Sequence, residues 1–125
     1  MTDKKTQLAV IGAGPGGYTA AFLAADMGMQ VTLIDPAENP GGVCLYRGCI
    51  PSKALLHVAG VIHEAAAAEA WGVSFGKPKI DVKRMGQWKS DVVANLTGGL
   101  GRLASQRKID YRRARAKFSD QQTLD

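Results

Sequence analysis

Leu8-Ala9-Val10-Ile11-Gly12-Ala13-Gly14-Pro15-Gly16-Gly17-Tyr18-Thr19-Ala20-Ala21-Phe22-Leu23 decides the fold of this 125-residue chain. An apolar run of four residues ends at Gly12. Residues from about Gly14 to Met27 then read as a helix rich in alanine, leucine and phenylalanine, with Gly28 as its C-terminal cap. Val31-Thr32-Leu33-Ile34 is a second apolar run, stopped by Asp35-Pro36. Strand, glycine-rich turn, helix and strand make a βαβ unit of roughly thirty residues with a right-handed crossover. Uninterrupted apolar strands suit a parallel sheet buried on both faces. The expected class is α/β, a Rossmann-like doubly wound parallel sheet.

The glycines carry the first functional signal. In Gly12-x-Gly14-x-x-Gly17 the first glycine permits a tight turn and the second lets backbone approach a pyrophosphate. The third lets the helix pack closely. The helix N-terminus adds free N–H groups and partial positive charge for phosphates. Asp35 ends the second strand 23 residues after Gly12, where an acid can accept hydrogen bonds from a ribose. A bare glycine turn is the plain alternative, but the full strand, loop, helix, strand and acid context favours nucleotide binding. The pattern does not separate FAD from NAD, and an aspartate at 35 leans slightly toward NAD.

Working outward, Glu38 to Gly42 is a turn-rich connection. A second helix should begin near Cys49 or Ile50 and run to about Ala70, since Pro51 is tolerated only in a first turn. Trp71 to Gly76 reads as a loop or a short extended piece. A third helix should run from Asp81, a good N-cap, to about Ser105, although Gly98, Gly99 and Gly101 weaken its second half. Ile109 to about Arg113 resembles a third strand. No apolar run is long enough for a membrane span, and Gly12 to Gly17 would break the apolar segment of a secretory signal. Membrane association is therefore not expected. The net charge is +5 and unevenly placed: twelve basic residues lie between Lys77 and Lys117 against Asp81, Asp91 and Asp110. With few aromatics and no nucleic-acid motif there, a solvated face is favoured over a nucleic-acid surface.

Cys44 and Cys49 are the only cysteines. Without a secretory signal they suggest a reducing, cytoplasmic setting, where a close pair is more often catalytic or metal-binding than structural. Five positions along a regular helix rise about 7.5 Å, beyond the usual Cα separation of a disulfide. Cys44 is therefore expected in a curved loop before the helix, with Gly48 supplying flexibility. The loop such a bridge would close is too small to add much stability. Zinc usually needs four ligands, and His57 and His63 lie about 12 and 21 Å further along the helix axis, so no metal site is expected. Cys49 at or just before a helix N-terminus suits a stabilised thiolate, as disulfide exchange requires. Lys53, one turn on, adds positive charge.

Gly41 to Leu56, with its Cys-x4-Cys and Cys-Ile-Pro-Ser-Lys-Ala-Leu-Leu, resembles the active-site signature of the FAD-dependent pyridine nucleotide–disulfide oxidoreductases. The resemblance extends through Leu96-Thr97-Gly98-Gly99-Leu100. It is nearest to the bacterial members that oxidise dihydrolipoamide, whereas glutathione and mercuric reductases share the spacing but usually differ after the second cysteine.

The resemblance implies that Cys49 is the flavin-side sulfur and Cys44 the interchange sulfur. It assigns Gly12, Gly14, Gly17, Asp35, Gly42 and Lys53 to FAD binding. NAD is then the co-substrate, a lipoyl domain or acyltransferase the partner, and a homodimer the expected assembly. Residues 1–125 correspond to the N-terminal FAD-binding segment, without the NAD-binding and dimer-interface domains. A piece of this kind should not complete the cycle alone, because a partner subunit supplies the base for the interchange thiol. Two positions depart from the family pattern: Tyr46-Arg47 replaces an asparagine and a small apolar residue, and Asp35 replaces a glutamate. Arg47 is expected to depress a thiolate pKa.

Overall fold

A computed structural model describes residues 4–125. Three parallel strands, β1 (Leu8–Ile11), β2 (Val31–Ile34) and β3 (Asp110–Arg112), form one sheet in the order β1-β2-β3. The register pairs Leu8 with Val31, Val10 with Leu33 and Leu33 with Tyr111. Between β1 and β2 runs α1 (Pro15–Asp26). Between β2 and β3 come α2 (Gly42–Arg47), α3 (Cys49–Ala67), a 3-10 turn (Ala68–Trp71) and α4 (Val82–Gln106).

The helix ends follow their local chemistry. Gly28, at φ +88, lies just beyond α1. Its N–H donates to Ala25 O and that of Met29 to Ala24 O, the paired bonds of a Schellman ending. Asp81 caps α4 by accepting from the Arg84 N–H at 2.9 Å. Gly98, Gly99 and Gly101 do not interrupt α4, whose closing turn instead uses Lys108 at φ +56. Tertiary contact outweighs the glycine penalty: Val93, Thr97 and Ala104 bury one side of this helix.

The core joins Ala13, Ala21, Ala24, Val31, Leu33, Ala104 and Ile109. Alanines on α1 and α4 let α1 sit close on β2 and α4 on β3, around a fully buried Leu33. This packing uses one face of the sheet. Ala9 and Ile11, which alternate with Leu8 and Val10, are exposed, Ile11 to 48%. Where the sequence predicts burial on both faces, β1 is covered on one face only among the described residues. Among the described residues β1 is an edge strand, and both neighbouring helices lie on the Leu8–Val10 side. These residues supply the first winding of the Rossmann-like sheet. None of the described helices is long and apolar enough to cross a membrane.

Candidate functional site

The glycine loop follows β1 directly. Gly12 donates its N–H to Ile34 O at 2.8 Å, tying the loop's start to the end of β2. Gly14 is the N-cap of α1 and Pro15 its first helical residue, with no side-chain cap and no acid in the first turn. The Gly16 and Gly17 N–H groups belong to the first turn, which has no intrahelical acceptors to offer. Gly17 is required by close approach: a Cβ there would lie 1.8 Å from the Gly12 carbonyl oxygen. An uncapped helix start on a backbone cradle suits a pyrophosphate.

Asp35 stands where expected, but its carboxylate also builds the loop. One oxygen accepts from the Ala13 N–H at 2.8 Å and the other from the Ala37 N–H at 2.9 Å. It thus holds the glycine loop to the turn after β2. Tyr111 secures the same turn from β3, donating its hydroxyl to Ala37 O at 3.0 Å. Burial, then the negative charge of Asp35, pushes the Tyr111 phenol up to about 12.

The cysteine segment begins on the glycine loop. Gly41 donates its N–H to Ala13 O at 2.7 Å. Gly42, at φ +59, faces Gly14 so closely that a Cβ on it would stand 2.4 Å from the Gly14 Cα. A side chain is excluded there by both contact and conformation. Thr97, buried on α4 and donating its hydroxyl to Val93 O, closes over Gly41 from the other side. Two regions far apart in sequence are thereby pressed backbone to backbone.

Cys44 lies on α2, not in the expected loop. The geometric demand that the two cysteines not share one regular helix is met at Gly48, which ends α2 and starts α3. A Cβ on Gly48 would sit 3.0 Å from Val43 O and 3.3 Å from the Cys44 Cα, so the break packs tightly. Cys49 is the first residue of α3 and is exposed, while Cys44 is half-buried; both are thiols. The neighbouring Cys49 side chain, together with desolvation, raises the Cys44 thiol above its ordinary value, and the Lys53 charge opposes the shift. Lys53 is thus the cation that acts on Cys44 from one turn into α3. His57 and His63 lie exposed further along α3, and no cluster of three or more metal-ligating side chains occurs among the described residues.

Tyr46 and Asn39 carry no role in the sequence pattern, yet they link the site. The Asn39 N–H donates to the Tyr46 hydroxyl and that hydroxyl donates to Asn39 O, both at 3.1 Å. The only available signal was the tyrosine's departure from the family pattern. A depression of about 520 Å³ lined by Lys4, Asn39, Lys108, Asp110 and Tyr111 contains no residue of the glycine loop or cysteine segment, and it is not this site.

Residues 6–125 match the family described as pyridine nucleotide-disulphide oxidoreductase. The chain is 48% identical over 121 residues to a dihydrolipoyl dehydrogenase of Vibrio cholerae, covering 97% of this chain and 26% of that protein. It is 49% identical over 120 residues to one of Haemophilus influenzae, covering 96% and 25%. Among solved structures it is similar to the Cu(II) complex of the HOCl-induced flavoprotein disulfide reductase RclA from Escherichia coli. There the TM-score is 0.76 at 29% identity, covering 95% of this chain and 24% of that one. The chain spans about a quarter of the length of these curated relatives.

Proposed function

Because this chain belongs to the pyridine nucleotide-disulphide oxidoreductases, we propose that it forms the FAD-binding, redox-disulfide segment of an enzyme that oxidises protein-bound dihydrolipoamide and reduces NAD+. One observation carries this reading most directly. Gly41 and Gly42 press the start of the cysteine helix against Ala13 and Gly14, so a nucleotide-binding loop and a dithiol share one backbone contact. The relatives named dihydrolipoyl dehydrogenase support the dithiol substrate. The partner is then a lipoyl group carried by another protein, and the assembly a cytoplasmic homodimer of the full-length chain.

The chain's own residues divide the work. Gly12, Gly14 and Gly17 shape the cradle at the N-terminus of α1, where the N–H groups of the helix's first turn would hold the pyrophosphate. Asp35, already fixing Ala13 and Ala37, retains lone pairs for a ribose hydroxyl. Gly42 keeps the approach between loop and cysteine helix open, and Lys53 sets positive charge beside the thiols. In the oxidised pair, a thiolate of the substrate attacks Cys44 Sγ and displaces Cys49 Sγ. The second substrate thiol then releases Cys44, leaving lipoamide and two protein sulfurs carrying the electron pair. FAD, when bound, supplies the acceptor for that pair and the hydride for NAD+.

The isolated chain exposes Cys49 more than Cys44. The assignment of Cys49 to the flavin side therefore rests on its place at the N-terminus of α3 and on the family resemblance. Dithionite titration of the full-length FAD-loaded protein tests it. Two-electron reduction of wild type should give a long-wavelength charge-transfer absorbance; Cys44→Ser, which has no disulfide to reduce, should show that band already with the flavin oxidised, and Cys49→Ser should lack it in either state. Persistence of the band in Cys49→Ser would reverse the two roles. Turnover of dihydrolipoamide with NAD+, compared with glutathione disulfide or mercuric ion, separates this function from the other disulfide reductases.

A further inference from the structure

The turn from Asp35 to Gly41 is fastened at alternate residues. The Asp35 carboxylate holds Ala13 and Ala37, Tyr111 holds Ala37, and Gly41 bonds Ala13. Asn39 is held from a different direction. Its N–H and its carbonyl both meet the hydroxyl of Tyr46, which stands on α2 two residues after Cys44 and three before Cys49. Among the described residues, no other α2 side chain hydrogen-bonds to this turn. The ring also lies along Gly41, where a Cβ would come 3.3 Å from the Tyr46 Cε2.

Helix α2 needs such an anchor. It has six residues, is preceded and followed by glycines, and lacks a side-chain cap. A helix this short does not hold its conformation or position unaided. Buried Leu45 anchors it by packing, but apolar packing is non-directional. The Tyr46 hydroxyl adds direction, because one atom donates and accepts across a single backbone residue. Phenylalanine can do neither.

We infer that Tyr46 is a positioning residue for the Cys44–Cys49 pair, holding α2 against the nucleotide-side turn and so setting how readily the two thiols close into a disulfide. The inference rests on the redox-disulfide reading above. Closure requires the two Cβ atoms to sit about 3.5–4.5 Å apart. With the clasp in place, α2 is held against the start of α3, where a Cβ on Gly48 would lie 3.3 Å from the Cys44 Cα and Cys49 follows at once, so little ordering remains to be lost on closure. Without it α2 gains freedom in the dithiol form alone, and the disulfide becomes easier to reduce. The exchange consumes one glutathione disulfide and one protein dithiol, and yields one protein disulfide and two glutathione thiols.

The test compares wild type, Tyr46→Phe and Tyr111→Phe as full-length, FAD-loaded protein, equilibrated in glutathione buffers, quenched by thiol alkylation and read by mass. Tyr46→Phe keeps the ring against Gly41 and loses only the hydroxyl. It should lower the equilibrium constant for disulfide formation about tenfold, which is about 30 mV for this two-electron couple. Tyr111→Phe removes a phenol bond to the same turn without touching α2, and should stay within about twofold of wild type. An unshifted Tyr46→Phe overturns the inference. So does an equal shift in Tyr111→Phe, which would mean general loosening of the turn. If the wild-type pair forms no disulfide in any glutathione buffer, the redox-disulfide reading falls and this inference falls with it.

Discussion

Gly17 and Gly16 are neighbours in the first turn of α1, and alanine at each should act with opposite sign. A Cβ at Gly17 would stand 1.8 Å from the Gly12 carbonyl oxygen, where ordinary contact begins near 3.4 Å. The helix start would have to retreat by about 1.6 Å, and the atom it meets is backbone that cannot rotate aside. Overpacking of this kind costs typically 1–3 kcal/mol, and a backbone obstacle places Gly17→Ala at about 3. Alanine returns up to about 1 kcal/mol of helix propensity, for a net loss of about 2. At Gly16 a Cβ meets nothing within 4 Å, so the propensity gain stands alone at up to about 1 kcal/mol. The two variants should therefore differ by about 3 kcal/mol. With a urea m-value of about 2 kcal/mol/M, their unfolding midpoints should separate by about 1.5 M, Gly17→Ala below wild type and Gly16→Ala above it. FAD retention should fall at least about tenfold in Gly17→Ala, since the retreat moves the N–H groups that face the phosphates. Coincident urea midpoints for the two variants would refute the reasoning, because crowding against Gly12 is the only difference it invokes.

Lys108 ends α4 in the left-handed region at φ +56, where its N–H bonds Ser105 O and the Ile109 N–H bonds Ala104 O. Lys108→Gly should relieve about 1–2 kcal/mol of strain, less glycine's unfolded-state entropy, and raise stability by about 0.5–1 kcal/mol in thermal or urea unfolding. Tyr111 gives a pH dependence. Its phenol is raised from 10 in the unfolded chain to about 12 in the fold, so its stabilisation is complete below pH 10 and is lost as pH rises through 12. Urea midpoints measured from pH 9 to 12 should fall more steeply in wild type than in Tyr111→Phe. Parallel slopes would refute the assignment.

Much of this site was legible because its determinants are local. The glycine spacing, the apolar runs and the Asp81 cap place β1, α1, β2 and α4 from short-range sterics and hydrogen bonding. Pro51 in a first turn likewise locates the start of α3. Helix α2 was not legible. Six residues are under two turns, too few for a period to show, and the two cysteines directed attention to a loop. The cover over the two faces of β1 was not legible for a related reason. Four apolar residues in a row do not say which neighbours cover them, and in these residues α1 and α4 cover the same side.

Sequence alone determined that a strand, a phosphate-suited glycine turn, a helix and an acid follow in order, and that two cysteines stand five positions apart with the second at the start of a helix. Those features depend on backbone conformation within a few residues, which the residue types dictate. Only the tertiary structure decided that Gly42 lies on Gly14, that Asp35 braces the loop, and that Tyr46 ties the cysteine helix to Asn39. Each joins groups brought together by the sheet register and by helix packing. No local propensity encodes such a meeting, because it exists only after long-range burial has fixed where the elements stand.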